Sequence, residues 1–252
     1  MNTARSALSN IMISDSGVSF GQHPLVKKLL RGMFNIRPSL PRHVCTYDVD
    51  IVLRFLKAQG DANILPLKML TFRLVTLFCL LSAQRDQTFS AIDIRCMDVS
   101  NDEVVCYITH ALKTTRPGFH QTPLNFKAFP NCNYICPVHN TQQYLLRTFP
   151  LRGPTVKLFI SFSYPFKPVC TSTISRWVKS TLQLAGIDIT VFSSHSTRAA
   201  SASKAKSLGV SLAEVNRAAG WSNTDTFGRF YDKIITDEHE QDNISIKILQ
   251  SL

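Results

Sequence analysis

Hydrophobic residues recur with helical spacing at the start of the chain. Residues 2–13 and 24–35 carry apolar side chains three and four positions apart, and the polar stretch SDSGVSFGQ joins them. Pro38 and Pro41 follow, and they exclude a continuous helix because proline lacks the backbone N–H and restricts its predecessor. We therefore predict two helices, an extended linker and a boundary near residue 45.

Two further helices are predicted after this boundary. The stretch YDVDIVLRFLKAQG is amphipathic, with Asp48 placed to cap its start and Gly60 to end it. The next stretch, PLKMLTFRLVTLFCLLSA, begins with a proline and is apolar on nearly every side. This pattern predicts a buried central helix that ends at the tripeptide Gln84-Arg85-Asp86.

The periodicity then changes to that of strands. The stretches AIDIRCMDV, EVVCYITHALK and FHQTPLNF are rich in β-branched residues and are separated by SNDE and TTRPG turns, which predicts a three-stranded antiparallel sheet. Helical patterns return in five later segments: 137–149, 173–185, 196–208, 211–219 and 224–233. An acidic run, DEHEQD, and an apolar one, ISIKILQSL, close the chain. The predicted fold class is α+β, mainly α-helical, with one small antiparallel sheet.

The charge balance narrows the choice of partner. The 252 residues include 28 Lys plus Arg against 17 Asp plus Glu, a formal net charge of +11. Such an excess favours a polyanion, most commonly nucleic acid, because binding releases condensed counterions. A generally basic surface without a ligand remains the alternative at this point.

The cysteines and the apolar stretches indicate the cellular compartment in which the protein is expected. The seven cysteines are odd in number and mostly lie in apolar stretches, which predicts free buried thiols in a reducing compartment. Cys132, Cys136 and His139 are spaced like zinc ligands, but without a convincing fourth ligand we favour loop and helix-start roles. The amino terminus lacks a signal-peptide pattern, and the longest apolar stretch, Leu74 to Ala83, is too short to span a bilayer. We expect an intracellular protein with no membrane partner.

Several basic and aromatic residues lie where a purely structural role is not the only explanation. Arg85 ends the most apolar helix, where it must form an ion pair with Asp86 or Asp93 or else bind an anion. His195 and Arg198 lie three apart at a predicted helix start, so they share one face beside the first-turn amides. A solvated helix cap would have the same pattern.

The remaining candidates are a lysine and two aromatic residues. Lys113 precedes the TTRPG turn, where a plain surface lysine is the alternative. Trp221 and Tyr231 lie in GWSNTDTFGRFYDK near the end of the chain. Two arginines can hold the oxygens of a phosphodiester, histidine and lysine can transfer protons, and an indole N–H can donate to phosphate. A tyrosine hydroxyl can form a covalent phosphotyrosine.

The order of these residues resembles the tyrosine recombinases, the phage-integrase type of enzyme, over residues 46–233. The stretches LSAQRDQTFSAIDIR, LKTTRPG and GWSNTDTFGRFYDK look most similar to recombinases of eukaryotic DIRS-like retroelements and cryptons. The resemblance implies an integrase-like catalytic core and assigns six catalytic residues: Arg85, Lys113, His195, Arg198, Trp221 and Tyr231. The sequence departs from the family pattern at Thr88, where many members carry glutamate.

The same resemblance implies the activity and the partners. It predicts DNA cutting and rejoining through a 3′-phosphotyrosine, with no cofactor or metal, by a homotetramer on two sites in double-stranded DNA, in the nucleus. Residues 1–45 would be the remnant of a helical DNA-clamp domain with its linker, and residues 46–252 the catalytic domain with its tail. The apolar tail is expected to dock on a neighbouring protomer or to fold back on its own domain. Two other functions remain open: a domesticated or truncated DNA-binding protein, and a strand-relaxing enzyme of the topoisomerase IB type.

Overall fold

The computed structural model describes residues 2–12, 17–37, 45–112, 115, 121–221, 227–228 and 231–236. The backbone forms two compact units, Met1–His43 and Val44–Leu252. The predicted extended linker over Pro38 and Pro41 lies outside the described residues, as do the DEHEQD and ISIKILQSL segments. The assignment of the first unit to a clamp domain stays a prediction.

The first unit contains the two predicted helices, α1 (Asn2–Ile11) and α2 (Pro24–Ile36). Gly21 donates its backbone N–H to the hydroxyl of Ser9 at 2.8 Å, which joins the turn before α2 to α1. The imidazole of His23 caps α2 by accepting the backbone N–H of Leu25. Helix α2 has no buried residue, and five of its apolar side chains are exposed, namely Leu25, Leu29, Met33, Phe34 and Ile36.

The second unit begins with the two helices that the apolar pattern predicts, α3 (Val49–Ala58) and α4 (Leu67–Ser82). Asp48 caps α3 by accepting the backbone N–H of Asp50 at 3.1 Å. In α4, 12 of the 16 residues are buried, so its central position is confirmed. It packs against three later helices: α6 (Pro137–Thr148), α7 (Thr171–Leu184) and α8 (Ser196–Ser207). No helix in the described part of the chain has the length and apolar character needed to cross a bilayer.

The predicted three-stranded antiparallel sheet is present in the order β2 (Met97–Val99), β3 (Glu103–Cys106), β4 (Leu124–Lys127). Cys106 lies opposite Met97 on one side and opposite Leu124 on the other. Val104 and Cys106 point into the core, whereas their neighbours on β3 are partly exposed. The sheet therefore covers one side of the helical core, and the α+β, mainly helical class is confirmed.

The first strand is shorter than predicted. Residues 91–96 instead include the end of α5 (Asp86–Ala91) and a 3₁₀ turn, Ile94–Cys96. The physical reason is a side-chain cap: the carboxylate of Asp93 accepts the backbone N–H of Arg95 at 2.9 Å, which favours a turn over an extended backbone.

The predicted helix over 224–233 is also too long at its end. Among its described residues, Phe227 and Gly228 are helical, Tyr231 lies in a turn, and Asp232 and Lys233 are not helical. The cause is a tertiary contact, because the hydroxyl of Ser203 bonds the backbone on both sides of this turn. The four preceding helical patterns are confirmed by α6, α7, α8 and α9 (Leu212–Ala219).

A parallel two-stranded pair, which the sequence pattern did not predict, joins the start of the second unit to the segment that follows Tyr231. Strand β1 (Cys45–Tyr47) pairs with β5 (Ile234–Thr236), with Cys45 opposite Ile234. Thr236 adds a side-chain hydrogen bond from its hydroxyl to the carbonyl oxygen of Thr46 at 2.9 Å. This pairing fixes the course of the chain just after Tyr231.

Helix α8 is held in place by the same region. The phenol of Tyr47 on β1 donates to the hydroxyl of Thr197 at 2.9 Å. The ammonium group of Lys204 forms ion pairs with Asp48 and Asp50 at the start of α3. These contacts hold both the first and the last turn of α8, the helix that follows His195 and carries Arg198.

Candidate active site

Arg85 lies immediately after the central helix α4. The helix ends at Ala83, which has a left-handed backbone with φ of 50° although it is not glycine. Such a conformation costs a non-glycine residue energy and tends to occur where the surroundings impose it. The chain reverses there and places Arg85, half-buried, at the start of α5.

The two carboxylates proposed as ion-pair partners of Arg85 are engaged elsewhere. Asp93 pairs with Arg95 at 2.7 Å, and Asp86 accepts hydrogen bonds from two serine hydroxyls. Within the described residues, Arg85 has no salt bridge. The anion-binding interpretation of this arginine is therefore the one that the contacts favour.

Thr88, which replaces the glutamate common in the resembling family, supports this segment indirectly. Its hydroxyl donates to the side-chain oxygen of Gln84 at 3.3 Å. The amide nitrogen of Gln84 in turn donates to the carbonyl oxygen of Ala218 at 2.6 Å, at the end of α9. The residues next to Arg85 are thus joined to the helix that leads directly to Trp221.

His195 is the residue that precedes α8, and it is exposed at the surface. Partial burial and the positive charge of Arg198 lower the pKa of its imidazole. Arg85 and Lys233 act in the same direction, whereas the negative charge of Asp86 opposes them. His195 therefore lies among the groups at this site and is neutral over a wider pH range than a free histidine.

Arg198, in the first turn of α8, is only 2% exposed. One guanidinium nitrogen, Nη2, donates to the carbonyl oxygen of Ala219 at 2.7 Å. Its Nε and Nη1 are buried and have no hydrogen-bond partner among the described residues. Burial lowers the pKa of Arg198 to about 10, and the neighbouring Tyr231 opposes that shift.

The side chains of Trp221 and Tyr231 stack beside this arginine. Their ring centroids are 4.5 Å apart with an interplanar angle of 27°. The central guanidinium carbon of Arg198 lies 4.8 Å from the ring centroid of Trp221 and 5.3 Å from that of Tyr231. The indole N–H of Trp221 is also buried without a partner in the described part of the chain.

The backbone around Tyr231 is anchored to α8. The hydroxyl of Ser203 donates to the carbonyl oxygen of Tyr231 at 2.8 Å and accepts the backbone N–H of Lys233 at 3.1 Å. One turn further along α8, Lys206 forms an ion pair of 2.5 Å with Asp232. Helix α8 thus begins directly after His195, carries Arg198 and also positions the tyrosine.

The structure therefore brings together five of the six predicted residues. The positive charge of Arg85 lowers the pKa of both His195 and Arg198, and Arg198 contacts the two stacked aromatic rings. The sixth, Lys113, lies outside the described residues, so its position relative to the others stays a prediction. Catalytic roles for all six are predictions that geometry alone does not test.

Sequence analysis missed several supporting residues, namely Gln84, Asp86, Ser203, Lys206 and Asp232. Ser203 and Lys206 lie on the helix predicted over residues 196–208. No local sequence pattern indicates that they contact a segment some thirty positions away. Asp86 and Asp232 each adjoin a predicted catalytic residue, and that adjacency was the available signal.

The zinc alternative finds no support in the described residues. They contain no group of three or more histidine, cysteine, aspartate or glutamate side chains arranged to hold a metal ion. The thiol of Cys136 instead accepts the backbone N–H of Phe129 at 3.2 Å, and His139 faces Asp61 at 3.7 Å. Both residues lie at the start of α6, in agreement with the loop and helix-start roles.

Comparison with known families gives a match that includes this cluster of residues. The profile of the phage integrase family matches residues 62–236, well over half of the chain. The chain belongs to this family, whose members are tyrosine recombinases. Comparison with curated proteins found no match.

Solved structures show the same fold at low sequence identity. The XerH site-specific recombinase bound to its palindromic difH substrate, a post-cleavage complex, has a TM-score of 0.63 and 15% identity over 98% of this chain. The XerA recombinase has a TM-score of 0.55 and 15% identity over 99% of this chain. The matches cover 63% of the XerH chain and 80% of the XerA chain, so this chain spans under two thirds of the length of XerH.

Proposed function

We propose that this protein is a site-specific DNA recombinase that cuts and rejoins DNA through a 3′-phosphotyrosine at Tyr231. The observation that carries the proposal is the unsatisfied donor set beside that tyrosine. Arg198 has two buried guanidinium nitrogens without a partner in the described residues, and Trp221 has an unpaired indole N–H. A buried charge left without an anion is costly, so a phosphate whose oxygens accept these N–H groups fits the site.

The proposed reaction is an in-line displacement at phosphorus. The phenolic oxygen of Tyr231 forms a bond to the scissile phosphate as the bond to the 5′ oxygen breaks. His195 accepts the tyrosine proton, and Lys113 gives a proton to the departing 5′ oxygen. The product is a 3′-phosphotyrosine and a free 5′-hydroxyl.

The arginines act on the charge that develops at phosphorus. Arg85 and Arg198 donate to the non-bridging oxygens, where preorganised donors stabilise a transition state most. Attack by the 5′-hydroxyl of another strand reverses the step and releases the tyrosine. The phosphodiester energy is kept in the covalent link, so this chemistry needs no nucleotide cofactor and no metal.

The partner in this proposal is double-stranded DNA, for which the +11 net charge is suited. The XerH structures are pre-cleavage and post-cleavage complexes with difH substrate, and a similar catalytic unit supports the same class of ligand here. We propose a homotetramer on two DNA sites and a nuclear protein of the DIRS-like or crypton kind. The unit Met1–His43 would contribute to the DNA clamp.

The test is covalent capture on a nicked suicide duplex, read on a denaturing gel. The unmodified protein should yield a protein–DNA adduct that mass spectrometry maps to Tyr231, and Tyr231→Phe should yield none. Tyr164→Phe is the matched control, because Tyr164 is 87% exposed and outside the cluster. An adduct on another residue, or one that survives in Tyr231→Phe, would refute the assignment. DNA binding without any adduct would favour a domesticated DNA-binding protein, and relaxation of supercoiled DNA without strand exchange would favour a topoisomerase of type IB.

A further inference from the structure

The carboxylate of Asp86 lies at the meeting point of four elements around the candidate site. Its Oδ2 accepts hydrogen bonds from the hydroxyls of Ser175 on α7 and Ser194 before α8, the latter at 2.9 Å. Its Oδ1 lies 4.0 Å from the thiol of Cys79 on α4. Asp86 itself begins α5, directly after Arg85. A carboxylate with donors from several elements is fixed in position and orientation.

Asp86 and its hydrogen-bond partner Ser194 are each adjacent in the chain to a candidate catalytic residue. Asp86 follows Arg85 in the chain, and Ser194 precedes His195. The hydrogen bond between Asp86 and Ser194 therefore sets the distance between the backbone that carries Arg85 and the backbone that carries His195. Without it, the segment 193–195 would keep fewer contacts with the α5 side of the site.

The charge of Asp86 has a further consequence. The groups that act on His195 are Arg198 on α8, Arg85 before α5 and Lys233 after Tyr231, all cationic, together with Asp86. In the described part of the chain, Asp86 is thus the one anionic group that offsets this positive field at His195. Three positive charges repel a proton on the imidazole, and a nearby carboxylate reduces that repulsion.

We propose that Asp86 is a positioning residue, whose carboxylate holds His195 in place relative to Arg85 and Arg198 and balances the positive charge around it. This inference rests on the proposed function for its catalytic consequence, whereas the effect on His195 exists in the protein without DNA. The pKa of His195, already lowered by burial and by Arg198, is kept from falling further by Asp86. A stronger base accepts the tyrosine proton more readily, so the proposed reaction benefits.

The first arm of the test measures His195 directly and needs no catalysis. An NMR titration of the imidazole Cε1–H signals would follow the full chain, with the His195 signal assigned by its loss in His195→Gln. In Asp86→Asn, which keeps the shape and one acceptor oxygen, the His195 midpoint should move down by roughly half a pH unit or more. Asp188→Asn is the matched control, because Asp188 caps its own turn at Thr190 and does not act on His195. An unchanged or raised midpoint in Asp86→Asn would overturn the proposal.

The second arm measures single-turnover cleavage of the suicide duplex against pH. Asp86→Asn should lower the plateau rate by about tenfold, and the acid limb should move to lower pH with the His195 midpoint. Ser194→Ala removes the hydrogen bond but keeps the charge of Asp86. The cleavage rate should therefore fall while the acid limb of the pH–rate profile stays at the same pH. A rate loss in Asp86→Asn with no change in the limb would reduce Asp86 to a structural role. If the unmodified protein forms no adduct, the proposed function fails, and the NMR arm still decides whether Asp86 acts on His195.

Discussion

The hydroxyl of Ser203 bonds the backbone on both sides of Tyr231, through the carbonyl oxygen of Tyr231 and the N–H of Lys233. Ser203 is only 4% exposed, and both bonds are partly buried. They place the tyrosine ring where it stacks on Trp221 and lies 5.3 Å from the guanidinium carbon of Arg198. A candidate nucleophile is thereby held by the same helix that carries its candidate phosphate ligand.

Removing this anchor should slow cleavage more than it weakens DNA binding. We expect Ser203→Ala to lower the single-turnover cleavage rate about tenfold, because a small misplacement of a reacting group is costly. Ser203→Thr keeps the hydroxyl and should restore part of the rate. The control is Ser207→Ala, one turn further along α8, where the exposed hydroxyl bonds the carbonyl oxygen of Lys204 within its own helix. Equal rates for Ser203→Ala and Ser207→Ala would show that the anchor does not position the tyrosine.

The same geometry predicts that each protomer supplies its own tyrosine. Tyr231 contacts Arg198 of its own chain, and β5 pairs with β1 of that chain directly afterwards. A mixture of Tyr231→Phe and Arg198→Ala proteins should therefore form no more adduct than either variant alone. The measurement is the gel assay with protomers of two sizes, and a mixture of Tyr231→Phe with unmodified protein is the control. Adduct on the Arg198→Ala protomer in the mixture would show that the tyrosine acts on a neighbour's site.

The pH dependence of cleavage should report the lowered pKa of His195. A base must be neutral to accept a proton, so the rate should rise with pH through the pKa of His195 and then level off. Because burial and Arg198 lower that pKa, the midpoint should lie below the ordinary value of about 6.5. Single-turnover rates between pH 5 and 8 test this, with His195→Gln expected to remove the limb. A midpoint above the ordinary value would contradict the assigned environment.

The sequence was sufficient for elements whose own residues determine them. Helix α4 is apolar on nearly every side, so its sequence alone places it in the core. Asp48 caps α3 by accepting the backbone N–H of Asp50, which is only two positions further along the chain. The pairing of β1 with β5 had no such signal, because it joins two three-residue strands that lie far apart in the chain. The turn at Tyr231 depends on Ser203, a contact that exists only after α8 has packed.

The residues of the candidate site likewise fall into two groups, those that the sequence predicted and those that it did not. Residue type and order were enough to select Arg85, His195, Arg198, Trp221 and Tyr231. Most of their supporting residues had no signal, because no sequence spacing marks a serine or glutamine that only the fold brings into contact. Gln84 is an example: its amide reaches the carbonyl oxygen of Ala218, 134 positions along the chain. Asp86 and Asp232 are exceptions, since each adjoins a predicted catalytic residue.

The role of the remaining candidate, Lys113, can be tested by changing the leaving group in the cleaved DNA. If Lys113 protonates the 5′ oxygen, Lys113→Ala should lower the cleavage rate of a normal duplex about 10²-fold or more. A duplex with sulfur in the 5′ bridging position should be cleaved by the variant at nearly the unmodified rate, since a thiolate leaves without a proton.

The control for Lys113 is Lys127→Ala, on strand β4 of the three-stranded sheet, where the exposed lysine pairs with Glu103. It removes one positive charge without a role in the reaction, so both duplexes should be cleaved at unchanged rates. The comparison separates the two functions that a lysine can have near a phosphate. A proton donor is needed for the oxygen duplex alone, whereas a phosphate ligand is needed for both. Equal loss of rate on the oxygen and sulfur duplexes in Lys113→Ala would therefore exclude the proton-donor role and leave Lys113 as a phosphate contact.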